Sequence, residues 1–156
     1  MNLASFTTLR AGGAAEFFGS VATSGDLAEI SAAAHHAGIK VTILGAGSNM
    51  LPSDDGVPGL TLRNQAARIA VAKTGEVLAD TGCAFQELFL KAAQAGLRGL
   101  EFAVGIPGTL GGALASNAGA YRSNVSEFIT RLDLVHDGER KWVGPEYLKF
   151  SYRDSV

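Results

Sequence analysis

An apolar run that ends in glycines, Ile43-Leu44-Gly45-Ala46-Gly47-Ser48-Asn49-Met50, constrains this chain more than any other feature. A strand that runs into Gly-x-Gly is a common place for a phosphate, and the residues that follow decide which fold is at hand. A dinucleotide-binding Rossmann unit needs a third glycine three residues after the second, opening a helix whose N-terminus carries the pyrophosphate. Here Met50 stands where that glycine belongs, and residues 51–59, LPSDDGVPG, read as a loop by their Pro, Asp and Gly content. The stretch is therefore a turn of small residues whose backbone N–H groups, helped by the Ser48 and Asn49 side chains, suit an anion without a helix dipole. An ordinary strand-to-loop turn uses the same residue types.

The flanking segments alternate in period. Residues 23–38 predict a helix, with Thr23 and Asp26 as a capping box, Leu27, Ile30 and Ala34 on one apolar face, and Gly38 at its end. Residues 40–45 and 60–64 read as short strands, and 68–73 with 76–82 as a hairpin turning at Thr74-Gly75. Residues 83–96 give the clearest helix, with Phe85, Leu88, Phe89, Ala92 and Ala93 on one face and Gly96 just past its end. Residues 128–143 alternate around Asp137-Gly138 as a second hairpin. The boundary between two lobes is expected near Asn64 to Ala67.

Composition narrows the function classes. With 156 residues, 47% hydrophobic and 18% charged, the chain has enough material for a core and is not a disordered segment. A net charge of -2 and the lack of any Lys/Arg-rich run argue against a nucleic-acid face. No apolar run approaches the roughly 20 residues that span a bilayer, and the N-terminus lacks a secretory signal pattern. A single cysteine, Cys83, excludes an internal disulfide framework and fits a reducing cytoplasm. It reads as a small buried hydrophobe rather than a reactive thiol. His35 and His36 point about 100° apart on a helix, and His136 lies on a hairpin, so no metal site is expected. Trp142 and Tyr147 read as packing residues of the second lobe, and Glu101 and Glu127 as isolated carboxylates.

A second glycine cluster fills residues 101–121, EFAVGIPGTLGGALASNAGAY. It is poor in helix propensity around its glycines yet lacks the charge of a solvated loop. Small side chains let backbone lie against a flat ligand; close packing of a short helix against a sheet is the alternative.

Taken in order, GAGSN after a strand, then GIPGTLGGA, NAGAY and YRDS, the chain resembles the UDP-N-acetylenolpyruvoylglucosamine reductase (MurB) family of bacterial flavoenzymes. The opening FTTLRAGGAAEFF is also similar to that family's start, with Thr7 where an Asn usually stands. The resemblance runs along the whole chain. It implies an α+β fold: the two-lobed FAD-binding domain of the vanillyl-alcohol-oxidase (PCMH) type, with flavin between the lobes and the chain truncated before the substrate-binding domain. Residues 1–65 would form lobe 1 with the pyrophosphate loop, and 66–156 an incomplete lobe 2. The resemblance places Gly45, Ala46, Gly47, Ser48, Asn49 and Met50 on the FAD pyrophosphate. It places Gly105, Ile106, Pro107, Gly108 and Thr109, with Gly111, Gly112, Ala113, Asn117 and Gly119, along the flavin. Tyr152 would touch substrate, and Arg153 of the Tyr-Arg-x-Ser motif would be catalytic.

The implied reaction is reduction of an enolpyruvyl sugar nucleotide in peptidoglycan precursor synthesis, with FAD as cofactor and NADPH as hydride donor. Negative charge then develops toward the carboxylate, which a fixed guanidinium stabilises. A surface arginine paired with Asp154 is the plainer reading of Arg153. The family continues past the equivalent of Val156, where a protonating serine and an assisting glutamate lie, so this chain alone is expected to be inactive. No protein partner is implied. A stand-alone FAD- or nucleotide-binding module, and a self-associating fragment without ligand, remain as other classes.

Overall fold

The structure, a computed structural model, describes residues 1–155. Contacts divide the chain into two units, one of residues 1–66 with 134–141, the other of 67–133 with the residues from Trp142 onward.

The first unit is built on three strands and one helix: β1 (Ala15–Val21), α1 (Ser24–His36), β2 (Val41–Leu44) and β3 (Val57–Asn64). The strands form one parallel sheet in the order β1-β3-β2, so α1 is the crossover that parallel pairing requires. Thr23 caps α1, its Oγ1 accepting from the Asp26 N–H at 3.1 Å. The apolar face of α1 is narrower than its pattern suggests: Ala34 is buried and Leu27 half-buried, but Ile30 is exposed. A three-stranded sheet offers the helix a narrow seat. The other correction concerns β3, which starts at Val57 and not at Leu60. Val57 pairs with Ala15 and Leu60 with Phe17, so Pro58 and Gly59 oppose the single residue Glu16 in a bulge. Proline is tolerated there because no ladder donor is needed from it, and the Glu16 carboxylate accepts from the Gly59 N–H at 2.7 Å. Leu3, Ala15 and Leu44 form the core below, with Phe6, Phe18, Met50 and Val57 packed on it.

The second unit opens with the hairpin β4 (Ile69–Val71) and β5 (Val77–Ala79), followed by α2 (Phe85–Gln94) and the short α3 (Leu110–Ala115). Then come the two-residue strands β6 (Gly119–Ala120) and β7 (Ser123–Asn124), and the hairpin β8 (Leu132–His136) and β9 (Glu139–Val143), whose tip belongs to the first unit. Residues 134–141 thus leave the lobe in which the sequence pattern put them. The hairpin is also shorter than its pattern. Residues 125–128 form a 3-10 turn instead, and the Phe128 ring stacks on Phe102 at 5.9 Å, where packing overrides alternation. Phe85, Leu88 and Ala92 of α2 enter the core with Cys83, Phe102, Leu110 and Val125. Ala93 faces solvent, and Trp142 is exposed under the Arg131 guanidinium at 4.8 Å rather than packed inside. Among the described residues, no helix is long and apolar enough to cross a membrane.

Candidate functional site

The loop after β2 lies at the carboxyl end of a parallel strand, where open α/β sheets place ligands. Among the described residues the N–H groups of Ala46, Gly47, Ser48 and Asn49 find no backbone or side-chain acceptor. Ala46 and Asn49 are exposed, while Gly47 is buried. Gly47 has a second reason to be glycine: its φ is +67°, a Cβ there would collide with the Phe6 carbonyl, and its own carbonyl accepts from Thr8 N–H at 3.1 Å. Thr7 closes that N-terminal segment, donating its hydroxyl to the Ala11 carbonyl at 3.2 Å. Met50, expected at the cofactor, packs on the core of the first unit.

The second glycine cluster folds differently from a ligand-clasping loop. Thr109 Oγ1 accepts from Gly112 N–H at 3.3 Å and caps α3. The N–H groups of Leu110, Gly111 and Ala113 donate to the Cys83, Thr81 and Thr109 carbonyls at 2.9, 2.7 and 2.9 Å. Most backbone donors are therefore spent internally, and what the segment offers is a smooth surface. Leu110, Ala113 and Leu114 are buried, while Gly112 lies exposed on the opposite side, where a Cβ would meet only Thr109 Oγ1 at 3.7 Å. Gly105 and Pro107 are exposed, with Ile106, Gly108 and Thr109 half-buried.

A cleft of about 600 Å³ in the second unit gathers Asn117, Gly119, β6, β7 and Phe150 to Arg153. Tyr152 and Arg153 form the tip of a tight turn in which Ser151 and Asp154 bridge, Ser151 N–H donating to the Asp154 carbonyl at 3.0 Å. Arg153 has φ +60°, and its guanidinium lies 5.7 Å from the Tyr152 ring centre. Among the described residues it makes no ion pair with Asp154, so the plain surface pairing is not formed. Asn117 Nδ2 donates to the Ser151 carbonyl at 2.8 Å, tying this turn to the end of α3. Asn117 is nine-tenths buried, and its Oδ1 has no hydrogen-bond partner among the described residues. A buried acceptor left without a donor costs about 1–3 kcal/mol.

Sequence reasoning passed over the opposite rim. Tyr121 and Arg122 join β6 to β7 with φ of +54° and +68°, a turn normally made by Asn-Gly. Each left-handed residue of this kind costs roughly 1–2 kcal/mol. The signal was present as a repeated Tyr-Arg dipeptide, at 121–122 and 152–153. Cys83 is fully buried, and burial first, then Glu87 and Asp80, pushes its thiol up to about 11. No group of three or more His, Cys, Asp or Glu among the described residues could hold a metal.

A parallel βαβ unit with unclaimed backbone donors in the loop after β2, and a second unit with a glycine-smoothed surface and an open cleft, are consistent with a nucleotide-binding α+β fold. The family model described as "FAD binding domain" matches residues 16–144, and the chain belongs to that family. Over its whole length it is 41% identical to the UDP-N-acetylenolpyruvoylglucosamine reductase of Acaryochloris marina, of which it covers 52%. It is 44% identical over 131 residues to the reductase of that name from Rubrobacter xylanophilus, covering 83% of this chain and 44% of that protein. The crystal structure of UDP-N-acetylenolpyruvylglucosamine reductase (MurB) from Thermus caldophilus superposes with a TM-score of 0.79 at 33% identity, over 99% of this chain and 55% of that one. The chain thus spans about half the length of the relatives it matches, and its α+β fold is the FAD-binding fold that the motifs implied.

Proposed function

We propose that this chain is the flavin-binding portion of a UDP-N-acetylenolpyruvoylglucosamine reductase. In this reading FAD is its cofactor, NADPH the hydride donor, the enolpyruvyl sugar nucleotide its substrate, and the cytoplasm its compartment. The observation that carries the flavin part is the run of unclaimed N–H groups from Ala46 to Asn49 at the carboxyl end of β2. Those donors suit the pyrophosphate; Gly45 and Met50 flank them. The exposed, uncrowded face at Gly112 suits the flat ring, with Gly105 to Thr109 and Gly111 beside it, Ala113 buried beneath, and Asn117 and Gly119 beyond. The unpartnered Asn117 Oδ1 is an acceptor that a donor on a bound ligand would satisfy.

FAD, when bound, supplies hydride chemistry that no side chain of this protein can. The protein's own contribution is to hold and orient. Arg153, whose guanidinium lies 5.7 Å from the Tyr152 ring centre, would meet a substrate carboxylate as its charge grows. Tyr152 would contact the substrate beside it.

Fluorescence titration with FAD and FMN tests the reading. FAD is expected to bind at least about tenfold more tightly, since FMN lacks the second phosphate and hence part of the hydrogen bonding to 46–49, worth roughly 1.5 kcal/mol or more per charged contact. Absence of flavin binding would refute it. A binding module without turnover differs in one respect: the whole protein would not oxidise reduced flavin when given the enolpyruvyl sugar nucleotide.

A further inference from the structure

We propose that Arg122 acts together with Arg153 to bind one oxyanion of a ligand, making the cleft of the second unit a two-arginine anion site walled by Tyr121 and Tyr152. The inference deepens the reductase reading, on which it rests only for the natural ligand's identity.

Both arginines line the same cleft, and among the described residues no Asp or Glu lines it. Two carboxylates stand beside its lining residues. Glu127 accepts from Ser123 Oγ and Asn124 Nδ2, both at 2.9 Å. Asp154 is exposed beside Arg153, without an ion pair to it among the described residues. Among the described residues the lining thus carries two cations and no carboxylate, while Glu127 and Asp154 keep their charges beside it; an anion between the two guanidinium groups would be the counter-charge that the lining itself lacks.

The backbone at these residues is independent evidence. Arg122, Tyr121 and Arg153 all adopt positive φ, a conformation that a turn with no other duty fills with Gly or Asn. Strain kept at such positions points to the side chains they present. Both Tyr-Arg pairs sit at the tips of two-residue turns, the first with both residues at positive φ and the second with Arg153 alone, and Tyr121 and Tyr152 are 87% and 90% exposed. Asn117, nine-tenths buried between the segments that carry the turns, adds an acceptor without a donor. A ligand with an oxyanion and an adjacent N–H or O–H would satisfy all three groups. Planar guanidinium groups bind carboxylate and phosphate oxygens in the same bidentate manner.

Glycine is the informative substitution, since it accepts positive φ and removes only the side chain. The chain is titrated at fixed ionic strength with pyruvate and, separately, with inorganic phosphate, following amide NMR shifts. The tighter of the two identifies the oxyanion as carboxylate or phosphate. Residues 119–124 and 151–154 are expected to shift along one binding curve. Arg122→Gly should weaken binding about tenfold or more, Arg122→Lys less, and Arg98→Ala, at an exposed arginine outside the cleft, not at all. Thermal melting of Arg122→Gly should be unchanged or raised, which separates a binding defect from a folding defect. Shifts confined to 151–154, unchanged affinity in Arg122→Gly, or equal loss in Arg98→Ala would each overturn the proposal. FAD binding is followed in parallel by flavin fluorescence. Failure of FAD binding with Arg122-dependent anion binding intact removes the flavin reading and supports this one; the converse does the reverse.

Discussion

Burial, reinforced by the charges of Glu87 and Asp80, keeps the Cys83 thiol protonated to about pH 11, against an ordinary value near 9. The folded state therefore holds a proton that the unfolded chain has released. Its stabilising contribution is full below pH 9 and is lost as pH rises to 11, by about 1.4 kcal/mol per pH unit across that window. Urea unfolding at pH 8 to 11 should show this slope in the native protein and lack it in Cys83→Ala. Iodoacetamide at pH 8 should label the thiol only at the rate at which the second unit opens. Gly47 makes the opposite lesson, because its glycine is required by chain packing whether or not a ligand binds. Gly47→Ala should destabilise the protein without FAD by about 2 kcal/mol or more, combining left-handed strain with the collision at the Phe6 carbonyl. An unchanged urea midpoint would contradict that reading.

At the scale of elements, caps and small residues decide where short helices stand. Thr23→Ala removes the acceptor for Asp26 N–H and should cost about 1 kcal/mol, read as a lower thermal midpoint. Gly112 on α3 poses a sharper test. A valine there has open space and a slightly better helix propensity, by about 0.5 kcal/mol. Gly112→Val should therefore leave stability within about 1 kcal/mol while abolishing measurable FAD binding, as titration would show. Equal FAD affinity would mean that the exposed face at Gly112 meets no ring. The same element explains why its sequence was ambiguous. Thr109 and the carbonyls of Thr81 and Cys83 supply hydrogen bonds that hold a helix which propensity alone would not form.

For the whole molecule, the proposed activity demands more groups than cofactor binding does. Arg153 can stabilise developing negative charge, but reduction of an enolpyruvyl double bond also needs a proton delivered to carbon and a nucleotide held in place. Positioning alone lowers such a barrier by roughly 7–11 kcal/mol. The 156 residues by themselves are expected to bind FAD without substrate-dependent reoxidation of the reduced flavin. Anaerobic stopped-flow with and without the enolpyruvyl sugar nucleotide checks this, and reoxidation at an ordinary enzymatic rate would show that the chain is sufficient.

The sequence by itself determined the elements whose signals are local. The cap at Thr23, the Asp137-Gly138 turn, the amphipathic α2 and the missing third glycine at Met50 each follow from chemistry within a few residues. Motif order likewise carried the FAD-binding family, because glycine spacing records where backbone must turn sharply. Tertiary structure decided what depends on distant partners. The bulge at Pro58-Gly59 exists only against Glu16, and Phe128 leaves its strand pattern for the ring of Phe102. Asn117 reaches Ser151 across 34 positions, bringing the turn that carries Arg153 to the cleft with Tyr121 and Arg122. Such groupings are invisible to periodicity, since a side chain's neighbours across the fold are set by packing and not by its neighbours in sequence.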